Sequence, residues 1–142
     1  MTVKGSKAAI ELKNVLIEPG ATYAVLPEEV LEEVGASRIP AEVEVALGDG
    51  EKVKAKAYGV AIEIEGVEAP SISIAFEGGQ TVIGAETLES IGVKLDPTTG
   101  KLEFTRPQGV AYFYACGSSG GRYAPIQDQN ANRMPSLPVR ME

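Results

Sequence analysis

Four segments between residues 41 and 76 alternate apolar and polar side chains, a period of two that only a strand satisfies. In the first, Val43, Val45 and Leu47 share one face and Glu42 and Glu44 the other. Gly48-Asp49-Gly50 follows as a hairpin signal. On the return Lys52, Lys54 and Lys56 share a face opposite Val53. The Glu and Lys faces can pair across the hairpin for a few tenths of a kcal/mol up to about 1 each, so this charge run reads as a solvated sheet face. Tyr58 to Glu65 alternates again with Val60, Ile62 and Ile64 inward, and Ile72, Ile74 and Phe76 make a further strand.

The flanks add short elements. Residues 8–17 are β-prone and end in Val15-Leu16-Ile17, where Glu18-Pro19-Gly20 breaks the strand with tight-turn residues. After the β-like run Tyr23 to Leu26, Pro27 opens a helix in its first turn, where a missing N–H costs nothing. Glu28 and Glu29 suit its positive end, Val30, Leu31 and Val34 fall at helical spacing, and Gly35 closes it. Thr81-Val82-Ile83 is a short strand ending at Gly84. Glu86 to Ile91 reads as a short helix closed by Gly92, and Val93–Leu95 and Lys101–Phe104 flank a Pro-Thr-Thr-Gly turn. The pattern predicts a mainly β fold, a closed or nearly closed small β-barrel with one or two short helices. Val30 to Gly35 also echoes Thr87 to Gly92, each preceded by a Gly-Ala pair and followed by a Pro five residues on, as two half-units would be.

Composition narrows the chemistry. The 142 residues include no His and a single Cys, Cys116. A Ser-His-Asp or Cys-His relay, a Cys/His zinc shell and an intrachain disulfide are therefore excluded. Cys116 reads as an incidental thiol, and Gly117 to Gly121 is not a phosphate loop because no Lys-Ser/Thr follows. Glu63, Glu65 and Glu68 read as a solvated face rather than a cation site, so no metal and no cofactor is expected. A net charge of −7 argues against nucleic acid as a partner. The first residues lack the apolar run of a signal peptide, and no stretch reaches the roughly 20 apolar residues that cross a bilayer, so a cytoplasmic protein with no membrane partner is expected. Residues 1–105 hold 18 acidic against 9 basic residues, and residues 106–142 four Arg against Asp128 and Glu142. This shift divides the chain into a domain over 1–105 and an irregular Gly/Pro/Arg-containing extension over 106–142. Within the extension, Val110 to Ala115 reads as a short strand or a docking apolar patch.

Val15-Leu16-Ile17-Glu18-Pro19-Gly20-Ala21-Thr22-Tyr23-Ala24-Val25-Leu26-Pro27 resembles the active-site segment of retroviral-type aspartic proteases: an apolar strand, Asp-Thr/Ser-Gly-Ala, and an apolar run. Val82-Ile83-Gly84 with the helix that follows resembles the second signature of that family. Leu47-Gly48-Asp49-Gly50-Glu51 stands where the family places its flap. The likeness spans about residues 8–105 and is nearest to the single-domain retropepsin-like proteins of prokaryotes. It implies a small closed barrel and a homodimer, because each chain supplies one motif and the chemistry takes two carboxylates. Two such carboxylates share a proton; one activates water and the other polarises the peptide carbonyl.

The likeness places Glu18 at the catalytic Asp position, with Gly20 and Ala21 retained beside it and Gly48, Asp49 and Gly50 as the flap. Glu is longer than Asp by one carbon–carbon bond, ~1.5 Å, and a displacement of about 1 Å can cost ~10²-fold in rate. Pro19 lacks both an N–H and the family's Thr/Ser hydroxyl, which hydrogen-bonds across the dimer. Three readings follow: a dimeric binding module for a peptide or protein with weak or lost peptidase activity, an endopeptidase working through paired Glu18 carboxylates, or a β-barrel whose likeness is accidental.

Overall fold

A computed structural model describes residues 1–113. The chain divides into two compact units, Met1–Ala111 and Tyr112–Glu142. All elements among the described residues belong to the first. They are β1 (Thr2–Lys4), β2 (Ala9–Glu11), β3 (Leu16–Ile17), β4 (Ala24–Val25), α1 (Glu28–Val34), β5 (Ser37–Ala46), β6 (Lys52–Ile64), β7 (Val67–Ala75), β8 (Val82–Ile83), α2 (Ala85–Ile91), β9 (Val93–Leu95) and β10 (Leu102–Phe104). Residues 110–113 form no strand, and Tyr114, Ala115, Cys116 and Gly117 to Gly121 lie outside the described residues.

The long strands arise where the period of two is cleanest. β6 pairs antiparallel with β7 from Lys56↔Ala75 to Ile64↔Val67. Its other edge takes β5 along one half and β1 along the other. The main sheet runs β2-β1-β6-β7-β4-β8-β3 with β5 on β6, while β9 and β10 form a separate hairpin. This mainly β sheet curls as a half-barrel and stays open, which corrects the expectation of a closed barrel. Closure would need β2 to meet β3. Instead the chain turns at Asn14, held at φ 57°, and β3 runs parallel to β8. Residues 8–17 are thus two strands rather than one.

Both helices end as the sequence predicts, on left-handed glycines: Gly35 at φ 75° and Gly92 at φ 85°. α1 buries Leu31 and Val34, and α2 buries Thr87, Leu88 and Ile91. Arg106 closes α2 further, its Nη2 donating to the carbonyls of Glu89 and Ser90 at 2.8 Å each. The main core gathers Val3, Leu26, Leu31, Val34 and Ile62 with the inward faces of β6 and β7. A second, smaller cluster holds Val25, Ala55, Ala57, Ile74 and Val82, with Val43, Val45 and Phe76 half-buried against it.

Ser73 on β7 is fully buried, and its hydroxyl has no hydrogen-bond partner among the described residues. A buried orphan hydroxyl carries a desolvation cost of about 1–3 kcal/mol. Ser73→Ala is therefore expected to raise unfolding stability by about 1 kcal/mol in urea titrations; a loss of that size would show that the hydroxyl is satisfied in solution.

Candidate functional site

The site is built by strands of two residues. β8 lies between β3, parallel at Leu16↔Val82 and Ile17↔Ile83, and β4, antiparallel at Val25↔Val82. β4 in turn runs parallel to β7 at Ala24↔Ser73 and Val25↔Ile74. Residues 18–23 must therefore pass over the end of β8 to carry the chain from one of its sides to the other. Four backbone hydrogen bonds pin this loop. Glu18 N–H donates to Ile83 O at 2.9 Å and Ala21 N–H to Glu18 O at 3.0 Å. The first N–H groups of α2 donate to the loop as well, Ala85 to Ala21 O at 2.7 Å and Glu86 to Thr22 O at 2.9 Å. These would otherwise be orphan donors of the helix start.

Glu18 is exposed at the crest of the loop, and its Oε1 accepts the Gly20 N–H at 2.8 Å. The carboxylate is folded back on its own turn. Pro19, also exposed, offers no N–H there.

Opposite the loop stands the outer part of the β5–β6 hairpin. Between them lies an open cavity of about 930 Å³, lined by Glu18, Ala21, Tyr23, Val45, Phe76 and Val82 among others. Gly20 and Gly48 also line it, so the structure brings together the loop residues and the start of the flap-like turn. Asp49 and Gly50 do not line it. Asp49 Oδ1 accepts the Glu51 N–H at 2.9 Å and Gly50 N–H donates to Leu47 O at 3.0 Å, so both serve the turn itself. The cavity wall is mostly apolar and carries two carboxylates, Glu18 and Glu44, with no basic side chain among the described residues. Of the two carboxylates, Glu18 belongs to the loop and Glu44 to the hairpin.

On the outer face of the hairpin Lys52 pairs with Glu44 at 3.9 Å and Lys54 with Glu42 at 3.7 Å, all well exposed. These diagonal pairs contribute little and leave the face solvated. Lys4 lies between Glu63 at 3.1 Å and Glu68 at 3.2 Å. No three His, Cys, Asp or Glu side chains converge as a metal site among the described residues, and no helix there is long and apolar enough to cross a membrane.

Two supports escape a sequence reading. Glu86 accepts Ser71 Oγ–H at 2.9 Å and Ile72 N–H at 3.2 Å, tying the start of α2, and through it the Glu18 loop, to β7. Its one signal is an acidic residue in a first helical turn. Glu28 accepts Lys56 Nζ–H at 2.7 Å and Tyr58 O–H at 3.2 Å, a junction between α1 and β6 with no local signal. No family model matches the chain, and no curated protein matches it.

Proposed function

We propose that residues 1–105 are a retropepsin-like domain acting as a dimeric binding module for a peptide or protein, with weak or lost peptidase activity. The observation that carries this reading is the Glu18 carboxylate folded onto the Gly20 N–H at the edge of a mostly apolar cleft roofed by a hairpin. The cleft supplies apolar area for a ligand, while the residue at the chemical position is spent on its own turn. One chain contributes one such carboxylate, so a complete site requires two chains related by a twofold axis.

The test is fluorescence anisotropy with a labelled, unstructured, apolar-rich peptide, read beside sedimentation and mass spectrometry of the peptide. The expected result is a dimer that binds the peptide and leaves it intact. Val45→Asp on the cleft side of the hairpin is expected to weaken binding by about 10-fold or more, since it puts a charge into an apolar contact. A monomer without affinity for the peptide overturns the reading.

A second reading is favoured by one fact: Glu18 is exposed and lines the cavity. Paired Glu18 carboxylates would then activate water as an aspartic-type endopeptidase. Cleavage by the unmodified chain, abolished by Glu18→Gln, is the result that would establish it.

A further inference from the structure

α2 has no side-chain cap of its own at either end. It is seven residues long, well below the roughly 12–15 residues under which an isolated helix is marginal. Its N-cap is Gly84, with no side-chain hydrogen bond, and its last turn holds no basic residue. Both ends are closed by other parts of the chain. At the start, Ala85 and Glu86 donate their N–H groups to Ala21 O and Thr22 O of the Glu18 loop. At the end, Arg106 supplies the positive charge and the donors that the terminal carbonyls need. One hydrogen-bonded row joins the two ends: Leu88 N–H donates to Gly84 O at 3.2 Å, and Gly92 N–H to Leu88 O at 2.9 Å. Thr87, Leu88 and Ile91 are buried along its flank, so the two turns shift together.

The seat of Arg106 suits a guanidinium. Nη2 lies 2.8 Å from both Glu89 O and Ser90 O, and Nε lies 2.7 Å from Val110 O. Three carbonyls from two segments converge on one planar fork, which a lysine ammonium does not reproduce. The side chain packs on the bare α-carbon of Gly92, where a Cβ would stand 2.8 Å from Cζ and 3.0 Å from Cγ and Nε. Thr105 N–H donates to Gly92 O at 2.8 Å beside it. Beyond Arg106, Val110 N–H donates to Pro107 O at 3.1 Å and Gly109 takes φ 75°, so residues 107–110 turn back toward the guanidinium. The shift in composition after residue 105 thus falls inside a structural joint, and the first compact unit runs on to Ala111.

From this arrangement we infer that Arg106 and the turn at 107–110 are a clasp through which the C-terminal extension sets the order of the Glu18 loop. The turn holds Arg106 in place, Arg106 closes the last turn of α2, and α2 closes the loop with its first two N–H groups. The chain beyond Ala111 continues covalently from this turn, so a partner that draws on the extension opens the turn first and loosens the loop last. A helix this short has little stability of its own to absorb the loss of one end. The clasp stands whichever reading of Glu18 is correct, since it concerns the order of the loop and not the chemistry at it.

Amide hydrogen exchange on the full chain tests this. Arg106→Gln is expected to speed exchange at Gly92 by about 10-fold, and at Ala21, Ala85 and Glu86 by about 3- to 10-fold, through the loss of charge-assisted hydrogen bonds. Amides of residues 61–63 in β6, paired on both edges, are expected to stay unchanged. Arg106→Lys is expected to exchange like Arg106→Gln, because it keeps the charge and loses the fork. Gly109→Val acts from the side of the extension. Its Cβ meets nothing within 4 Å, but a β-branched residue is strained at φ 75°, so the exposed turn is disturbed without a clash against α2. This variant is expected to speed the same loop amides by about 2- to 3-fold, and it serves also if Arg106→Gln unfolds the chain. Faster exchange at Gly92 with Ala21, Ala85 and Glu86 unchanged would make Arg106 a local cap and overturn the clasp. So would equal acceleration at residues 61–63, an Arg106→Lys chain with the original rates, or a Gly109→Val chain whose loop amides do not respond.

Discussion

A chain carrying Glu18→Asp and Pro19→Thr together is expected to cleave an unfolded protein between pH 3 and 7 at least about 10²-fold faster than the unmodified chain. The loop that carries these positions is pinned at Glu18 N, Ala21 N, Ala21 O and Thr22 O, and the cavity opens beside it. The two side chains are what differ from the family pattern. Shortening residue 18 by one carbon–carbon bond, ~1.5 Å, draws the carboxylate back toward the loop, where in the proposed dimer two copies would share one water. Pro19→Thr restores an N–H and the hydroxyl that, by family resemblance, bonds across the dimer beneath the site. Activity is expected to fall toward neutral pH, as the second carboxylate of the pair ionises and the shared proton is lost. Glu18→Asn with Pro19→Thr serves as the control and is expected to be inactive. If the unmodified chain cuts as fast as the double variant, Glu18 is itself a working base. A double variant that dimerises and still does not cut removes the family assignment as the explanation of this loop.

What the sequence makes legible here follows the range of the interaction. Alternation is local, so β5, β6 and β7 are readable from Val43, Val45, Val60, Ile62, Ile64 and Ile72 onward. Caps are local too, so Pro27, Gly35 and Gly92 bound the helices. β1 is three residues with no period to read, and it exists because Val3 is fully buried between Ile10 of β2 and Ile62 of β6. Residues 8–17 look continuous because nothing in composition announces that Asn14 takes φ 57°. Closure of a sheet is a property of its two free ends, β2 and β3, and no short-range signal reports whether they meet. The site divides the same way. Glu18, Gly20, Ala21 and Gly48, which line one cavity, are singled out in the sequence because short local strings resemble known motifs. Glu86 with Ser71 and Ile72, and Glu28 with Lys56 and Tyr58, join residues 14 to 30 positions apart, and no local pattern links one partner to the other.

Gly84→Ala is expected to cost about 3 kcal/mol or more, a large share of the stability of a domain this size, and to disorganise the Glu18 loop. The backbone at Gly84, φ −99° and ψ −178°, is one that alanine adopts freely, so the effect is steric and not conformational. A Cβ there would stand 2.5 Å from Tyr23 O, 2.6 Å from Tyr23 C and 2.7 Å from Ala21 O. These are main-chain atoms and cannot rotate away. They are also held close by the hydrogen bonds from Ala85 and Glu86 to the same loop, so relieving the overlap means stretching two bonds worth about 1 kcal/mol each. Gly59→Ala is the matched comparison: a Cβ on that residue of β6 meets nothing within 4 Å, and the same added methyl is expected to be neutral or to stabilise by up to about 1 kcal/mol through the unfolded chain. Urea titrations of both variants, with peptide anisotropy on whatever remains folded, separate the two sites. Equal midpoints would mean that α2 does not grip the loop as closely as the geometry requires. A Gly84→Ala chain that still folds in dilute buffer but no longer binds peptide would show that the grip of α2 on residues 21–23 is what keeps the cleft formed.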